Sequence, residues 1–465
     1  MAKKRKVLPL KVPARASLYY LLASAVAKAI GVISTPLFTR LMSGESYGEY
    51  TLYISRLAFL SVTLSAVSTG VQGYREMSKA KDKQDDYVSS LLGISLTLCG
   101  IICILLFTFK GILALNYSTI TILTLQLLCD SILYVGNMKA KYLYAYKQVF
   151  ITSLFQSLIS VILSFALING AGLGYEARVW GLLIASIIVS IPILSGILSK
   201  CTSLYSKDMW RSVIKRLVPV FPYTLSGALS MQIDRFIISA SLGRVALAKY
   251  SVAHSLAAAL TMLTGAASSA LGPWIMRKLN SKEEGTVAVI SHDCSVLLAA
   301  SIILVITAAP EAMSVLAPKS YSDATVAVLP IALSALPTFL YSLGCTVLIH
   351  RDFGAKVSLC AFFTSLTAIL SGFLLIPKFG YLGAGVAHLI SQTVGAIGVM
   401  ALLCKFNEKI FSASKISIIF AVTLTLTLLT HASRGMPYVR IFILLCSLSA
   451  LSLKLLRMRS LISEK

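Results

Sequence analysis

The chain carries at residues 17–39 the stretch SLYYLLASAVAKAIGVISTPLFT, in which Lys28 is the single charged side chain. An apolar run of about 20 residues is long enough to cross the hydrocarbon core of a bilayer as a helix. Similar runs recur along the chain, and of its 465 residues 57% are hydrophobic and only 13% are charged. Soluble domains carry about a quarter charged residues. The sequence therefore predicts an all-α polytopic membrane protein without a sizeable soluble domain.

Apolar runs bounded by charges, Gly and Pro divide the chain into about 14 transmembrane helices. The predicted spans are 17–39, 49–73, 88–109, 116–138, 149–169, 180–199, 217–239, 246–271, 288–309, 324–349, 355–376, 380–404, 415–431 and 437–457. The connections between them are short. This spacing disfavours a membrane enzyme, which we expect to need a sizeable loop or a carboxylate pair near one surface.

The 42 Lys and Arg residues test this topology, because cytoplasmic connections are enriched in them. With the N-terminus inside, the spans contain Lys28, Arg56 and Arg235. The connections predicted to lie outside contain Arg40, Lys110, Arg178, Arg244, Lys249, Lys319, Lys378, Arg434 and Arg440. All the others fall on the inner side, so both termini are predicted to be cytoplasmic. The net charge of +24 then reflects the enrichment of Lys and Arg on the cytoplasmic side, where they are attracted to anionic lipid headgroups. It does not require a nucleic-acid partner.

The basic connection from Lys200 to Arg216 separates six predicted helices from eight and indicates a lobe boundary. A weak internal echo favours two related halves, since Arg40 and Arg235 are each followed by a Tyr that opens the next helix, Tyr50 and Tyr250. The predicted domains are an N-terminal six-helix lobe, a basic cytoplasmic linker, a C-terminal six-helix lobe, and helices 13 and 14 with a cytoplasmic tail. Their bounds are 1–199, 200–216, 217–404 and 405–465.

Five charged side chains lie inside predicted spans: Lys28, Arg56, Asp130, Asp234 and Arg235. A charge at the bilayer centre costs roughly 2.5 to 3.5 kcal/mol, so we expect all five to face a protein-lined interior. Lys28 lies near the midplane, where it contacts an anion in a cavity or pairs with Asp130. Arg56 either extends outward to the interface or offers its guanidinium to a phosphate in the cavity.

The remaining candidates have structural as well as functional interpretations. Asp234 and Arg235 are adjacent, and adjacent helical residues do not face each other, so each needs another partner. We expect these two, with Asp130 and Arg40, to form a gate or lobe contact, with substrate contact as the alternative for Asp234 and Arg235 and an interface anchor for Arg40.

His254 and His388 are candidate proton carriers, although a lone helical histidine is more often a core residue. No Cys/His cluster has metal-ligand spacing, and we expect neither a metal nor a cofactor.

Three stretches together resemble one family: PLFTRLMSGESYGEY at 36–50, QIDRFIISASLGRVALAKYSVA at 232–253 and PKFGYLGAGVA at 377–387. They are similar to the O-antigen flippase (Wzx-type) family of polysaccharide exporters, in the multidrug/oligosaccharidyl-lipid/polysaccharide flippase superfamily. The resemblance implies two six-helix lobes around a cationic central cavity. It also implies movement of a polyprenyl-diphosphate-linked oligosaccharide to the outer leaflet of a bacterial inner membrane by alternating access. Lys28 and Arg56 lie outside these motifs, so their substrate-binding role rests on charge and depth alone.

The alternative function is a multidrug exporter of the same superfamily, coupled to protons or sodium. It predicts an acidic cavity, whereas the spans of this chain hold three cations and two anions. The expected partners are a lipid-linked oligosaccharide and membrane lipids, with a polysaccharide polymerase and chain-length machinery as further candidates. Helices 13 and 14 are predicted to form a groove for the lipid tail, or else a packing or oligomer surface.

Overall fold

The computed structural model describes residues 11–68, 77, 83–113, 115–201, 203–281, 283–351, 353–406 and 413–432, and also 438, 443, 445, 447 and 449. These residues are almost entirely helical. By contacts the chain divides into two compact units, Met1–Ala228 and Leu229–Lys465.

The N-terminal unit contains six helices and the first part of a seventh. The helices are α1 (Lys11–Leu41), α2 (Gly44–Ser68), α3 (Gln84–Thr108), α4 (Tyr117–Tyr142), α5 (Tyr146–Ala171), α6 (Tyr175–Leu198) and α7 (Lys207–Ser241). Helix α4 packs against α2, α3, α5 and α6, and is therefore the central helix of this unit. Its neighbour α5 exposes large apolar side chains such as Phe155 and Ile162, as expected for a surface that faces lipid.

The C-terminal unit continues from the second part of α7. Its elements are α8 (Arg244–Asn280), α9 (Glu284–Leu316), a 3₁₀ segment (Lys319–Ala327), α10 (Val328–Leu333), α11 (Ala335–His350), α12 (Gly354–Lys405) and α13 (Ala413–Ala432). Helix α11 packs against α8, α9 and α12, where Leu336, Phe339 and Leu343 are buried in the core. Helix α13 adds Ile419, Phe420 and Leu424 to the outside of the same core.

The predicted all-helical membrane architecture is confirmed. Within the described residues, nine helices are long and apolar enough to cross a membrane. Helix α12 combines the predicted spans 355–376 and 380–404: its 52 residues would extend about 78 Å as one straight helix, far beyond a hydrocarbon core of about 30 Å. Its backbone turns at Gly380, where φ is 56° and ψ is −129°.

Further differences from the predicted spans concern helix ends. The predicted span 324–349 is divided into the 3₁₀ segment, α10 and α11, with Pro330 and Pro337 near the breaks. The predicted span 437–457 lies largely outside the described residues. Helix α7 begins at Lys207, inside the predicted basic linker, and continues past Ala228 without interruption, so the predicted domain bounds stay a prediction.

Candidate functional site

Four of the predicted site residues meet within the C-terminal unit. Asp234 and Arg235 lie on α7, His254 on α8 and His388 on α12. A guanidinium nitrogen of Arg235, Nη2, lies 3.3 Å from Nδ1 of His254, and the rings of His254 and His388 are 6.4 Å apart at their centroids. The fold therefore joins side chains of the consecutive helices α7 and α8 with one of the distant helix α12 in one polar cluster.

Asp234 is held by α8 and by its own helix. It is buried, and its carboxylate accepts a hydrogen bond from the hydroxyl of Tyr250 and another, of 2.8 Å, from the backbone N–H of Arg235. Tyr250 and His254 are four residues apart, so they lie one above the other on the face of α8 that α7 meets. The carboxylate and the guanidinium therefore contact neighbouring side chains of α8 and do not pair with each other.

Arg235 has neutral hydrogen-bond partners. Its Nη1 donates to Oε1 of Gln232 at 2.8 Å, one turn earlier on α7, and its Nη2 meets the His254 ring. The Nε of Arg235 is buried without a hydrogen-bond partner among the described residues. Because Asp234 is adjacent, the cluster contains one negative and one positive side chain. The positive charge that balances the Asp234 carboxylate is therefore supplied by Arg235 within the cluster. Gln232 and Tyr250 were missed by the sequence reasoning because they are uncharged.

Asp130 lies in the middle of α4 in the N-terminal unit. Its Oδ1 accepts a 3.0 Å hydrogen bond from Nε2 of Gln126, one turn earlier on the same helix. The same amide group donates to Oγ of Ser186 on α6 at 2.8 Å, and Gln156 on α5 donates to that hydroxyl at 3.0 Å. Asp130 is thus the end of a chain of polar side chains across three helices. Among the described residues, no ion pair joins it to Lys28.

Lys28 is exposed on α1. Thr35 and Thr39 follow seven and eleven residues later, on the same face of the helix, and both are buried. Ile33 points to another side and is 74% exposed, as expected for a lipid-facing residue. Lys28 therefore lies on the face of α1 that is buried in the C-terminal part of the helix. At Lys28 itself this face is exposed. No hydrogen bond or ion pair of Lys28 is present among the described residues.

Arg56 and Arg40 both have contacts at the end of the N-terminal unit that holds the α1–α2 and α3–α4 connections. Nη2 of Arg56 donates to the carbonyl of Leu113, in the α3–α4 connection, at 3.4 Å. Nη1 of Arg40 donates to the carbonyl of Pro36 in the last turns of α1 at 3.0 Å. For Arg56 this geometry agrees with the interpretation in which its side chain extends toward the interface.

Arg178 is predicted to lie in a connection, but in the structure it lies in the first turn of α6. Its guanidinium carbon lies 3.8 Å from the ring centroid of Phe38 and 4.6 Å from that of Tyr50, and Nη2 donates to the Tyr50 hydroxyl at 3.1 Å. Phe38 and Tyr50 belong to the motif at 36–50. Two residues of this motif therefore connect α1 and α2 to α6 through Arg178.

A separate apolar pocket, open on one side, belongs to the C-terminal unit. It has a volume of about 370 Å³ and lies between α8, α9 and α11. Leu263, Leu297 and Phe339 line it, with Thr264 and Ser301 as its polar side chains. Such a lining suits a hydrocarbon group and not a charged one. In the part of the chain that the structure describes, no group of three or more His, Cys, Asp or Glu side chains could hold a metal ion.

The family model described as "Polysaccharide biosynthesis protein" matches residues 14–278, which include most of α1, all of α2 to α7 and most of α8. The chain belongs to this family. The match covers more than half of the chain and contains Lys28, Arg56, Asp130, Asp234, Arg235 and His254. A comparison with curated proteins found no match.

Solved structures show which fold the chain adopts. The structure described as lipid II flippase MurJ, inward closed conformation, matches with a TM-score of 0.68 at 14% identity, over 96% of this chain and 99% of that chain. An inward-facing multidrug resistance MATE family transporter of the MOP superfamily gives 0.62 at 14% identity, over 84% and 96%. A mutant of the Vibrio cholerae MATE transporter VcmN gives 0.59 at 14% identity, over 86% and 98%. The protein is therefore a multi-pass membrane protein with the fold of these transporters.

Proposed function

We propose that the protein is a flippase that moves a polyprenyl-diphosphate-linked oligosaccharide from the cytoplasmic to the outer leaflet by alternating access. The membership in the polysaccharide biosynthesis family and the fold shared with a lipid II flippase support a transporter of lipid-linked sugars. The transported group is a repeat unit of O-antigen or a related surface polysaccharide. The proposed location is a bacterial inner membrane, with both termini in the cytoplasm.

The observation that carries the proposal is the position of Lys28. This side chain is exposed on the face of α1 that further along carries the buried Thr35 and Thr39, and among the described residues no ion pair joins it to Asp130. A diphosphate offers oxygen acceptors to such a cation, and a hydrogen bond to a charged group contributes about 1.5 to 3 kcal/mol. Lys28 is therefore the first contact that we propose for the diphosphate.

Arg56 and Arg40 have secondary roles in this proposal. Arg56 keeps its contact with the Leu113 carbonyl and receives the anion near the outer end of the path. Arg40, together with Asp234 and Arg235, serves as a gate or lobe contact. A polysaccharide polymerase and chain-length machinery are the proposed partners that receive the flipped unit.

A multidrug exporter is the second candidate, because MATE transporters share the fold. An exporter of organic cations would need to admit a positive substrate past the ammonium of Lys28. Like charges repel, and among the described residues no carboxylate pairs with that ammonium to compensate for it. The placement of Lys28 therefore favours the anionic lipid.

The test is complementation of a strain that lacks the gene. Wild-type protein should restore surface polysaccharide, and Lys28→Ala should reduce the flipping rate about tenfold or more at matched membrane levels, because one charge-assisted contact is lost. Lys28→Arg keeps the charge and should retain most activity. Lys200→Ala, which removes an exposed cation beyond α6, is the matched control.

Two outcomes would contradict the proposal. Full activity of Lys28→Ala would remove the cationic contact from the mechanism. Unchanged surface polysaccharide in the deletion strain, together with increased sensitivity to cationic drugs, would favour the exporter instead.

A further inference from the structure

Asp130 has surroundings that differ from those of every other predicted site residue. The titratable side chains that interact with it electrostatically are Tyr53 on α2, Cys99 on α3, and Cys129 and Tyr134 on α4. All four are neutral types near pH 7. Helices α5 and α6 contribute the uncharged Gln156 and Ser186 to the same polar chain. Among the described residues, Asp130 has no cationic partner.

The polar chain beside Asp130 is incompletely satisfied. Gln126 uses its amide N–H groups on Asp130 and Ser186, and its Oε1 is buried without a partner among the described residues. The hydroxyl of Tyr53 is likewise buried without a partner in that part of the chain. Gln126 is 1% exposed and Tyr53 is 3% exposed, so bulk water does not compensate for the missing bonds. A buried polar atom without a partner requires an explanation.

Asp234 in the C-terminal unit has a different environment. It has the positive side chain of Arg235 next to it, whereas Asp130 has only neutral neighbours among the described residues. A carboxylate in the membrane interior that lacks a compensating charge is strongly disfavoured and binds a proton instead. Asp130 is also partly exposed, which gives a proton access to its carboxyl group.

We propose that Asp130 is a proton-binding site of the N-terminal unit and that the Gln126 amide forms a hydrogen bond with both the ionised and the protonated carboxyl group. In the ionised form the carboxylate accepts from Nε2 of Gln126, as observed. On protonation, a proton from water forms an O–H bond at Asp130, and rotation of the Gln126 amide lets this O–H donate to Oε1. No other covalent bond is made or broken in the protein.

This assignment differs from the prediction that His254 and His388 are the candidate proton carriers. Nδ1 of His254 accepts from Arg235, so a second proton on that ring at Nδ1 would break the contact. It would also place a second positive charge beside the guanidinium. Asp130 has no such obstacle, because its described neighbours are uncharged.

The test is pH-difference infrared spectroscopy of the purified full-length protein in lipid nanodiscs. Each of the 18 Asp and Glu side chains adds a carbonyl band when it is protonated, so the band of Asp130 is obtained by subtracting the Asp130→Asn spectrum from that of the wild-type protein. This difference should contain one carboxyl band that appears as the pH falls. Asp323→Asn removes a 52% exposed carboxylate that pairs with Lys249, and should keep the band. An unchanged band in Asp130→Asn overturns the proposal.

A second variant covers the case in which Asp130→Asn does not fold, as judged by gel filtration. Gln126→Leu keeps the carboxyl group but removes its amide partner, so the band should shift in frequency. A band that stays at the wild-type frequency overturns the proposal. Because the measurement needs no transported substrate, its outcome is independent of the proposed flipping activity.

Discussion

At the scale of single residues, Arg178 joins three helices of the N-terminal unit. Its guanidinium lies over the rings of Phe38 on α1 and Tyr50 on α2, and it also bonds the Tyr50 hydroxyl. Its Nε is buried without a partner among the described residues, so this atom is shielded from water. Arg178 therefore contributes to packing and not only to the charge of the membrane surface.

We expect Arg178→Ala to lower the free energy of unfolding by about 2 kcal/mol. A desolvated cation–π contact contributes up to about 2 kcal/mol and a hydrogen bond to a charged group about 1.5 to 3 kcal/mol, and both are reduced here because Arg178 is partly exposed. Arg178→Lys should recover little, because an ammonium cannot cover two rings and donate in the same geometry. Thermal unfolding of the purified protein measures the effect, with Lys200→Ala as the exposed control. Equal unfolding temperatures for Arg178→Ala and the control would contradict this role.

Sequence reasoning found the charged members of the C-terminal cluster but not its neutral ones. Asp234 and Arg235 were identifiable because a charge inside an apolar run is costly. Tyr250 and Gln232 carry no such signal, since neutral polar residues are common in helices of every kind. Arg178 was missed for another reason: the predicted span began at 180, whereas α6 begins at Tyr175.

At the scale of elements, hydropathy predicted the helices well and their ends less well. Apolar runs determine where a helix crosses lipid, so most of the predicted spans coincide with described helices. Helix ends depend on local bonds instead, and α7, α8 and α9 extend past their predicted ends. The break of the span 324–349 into a 3₁₀ segment and two helices involves prolines and tertiary packing, which hydropathy does not record.

We expect Gly380→Ala to destabilise the C-terminal unit by roughly 1–3 kcal/mol. A Cβ at Gly380 would meet no atom within 4 Å, so the cost arises from the positive φ of 56° and not from a clash. Gly354→Ala is the matched control, because that glycine has equally open surroundings and lies at the start of a helix. Thermal unfolding of both variants measures the difference. Equal stability would show that the turn does not require glycine.

At the scale of the whole molecule, the two units differ in how their buried charges are balanced. The C-terminal unit carries Arg235 beside Asp234, whereas Asp130 in the N-terminal unit has neutral neighbours among the described residues. Both units nevertheless belong to one fold, shared with a lipid II flippase at 14% identity. Their balance of charge could not be predicted from the sequence, because it depends on which side chains meet between helices.

We expect flipping of an anionic lipid to respond to the membrane potential. An inside-negative potential favours outward movement of an anion by roughly 2.3 kcal/mol per charge per 100 mV. Proteoliposomes with an imposed potassium diffusion potential should therefore flip faster than the same vesicles without one. Protein-free vesicles provide the background rate. A rate that is indifferent to potential and to ion gradients would exclude this driving force.

The turn at Gly380 also determines how the topology of the protein can be mapped. Two crossings meet there within a single run of helix, so almost no polypeptide protrudes from the membrane between them. An epitope inserted at this point would separate two packed helices and disturb the fold that it is meant to report. The connection between α3 and α4, at residues 109–116, has exposed side chains such as Ile112 and is the better place for a reporter.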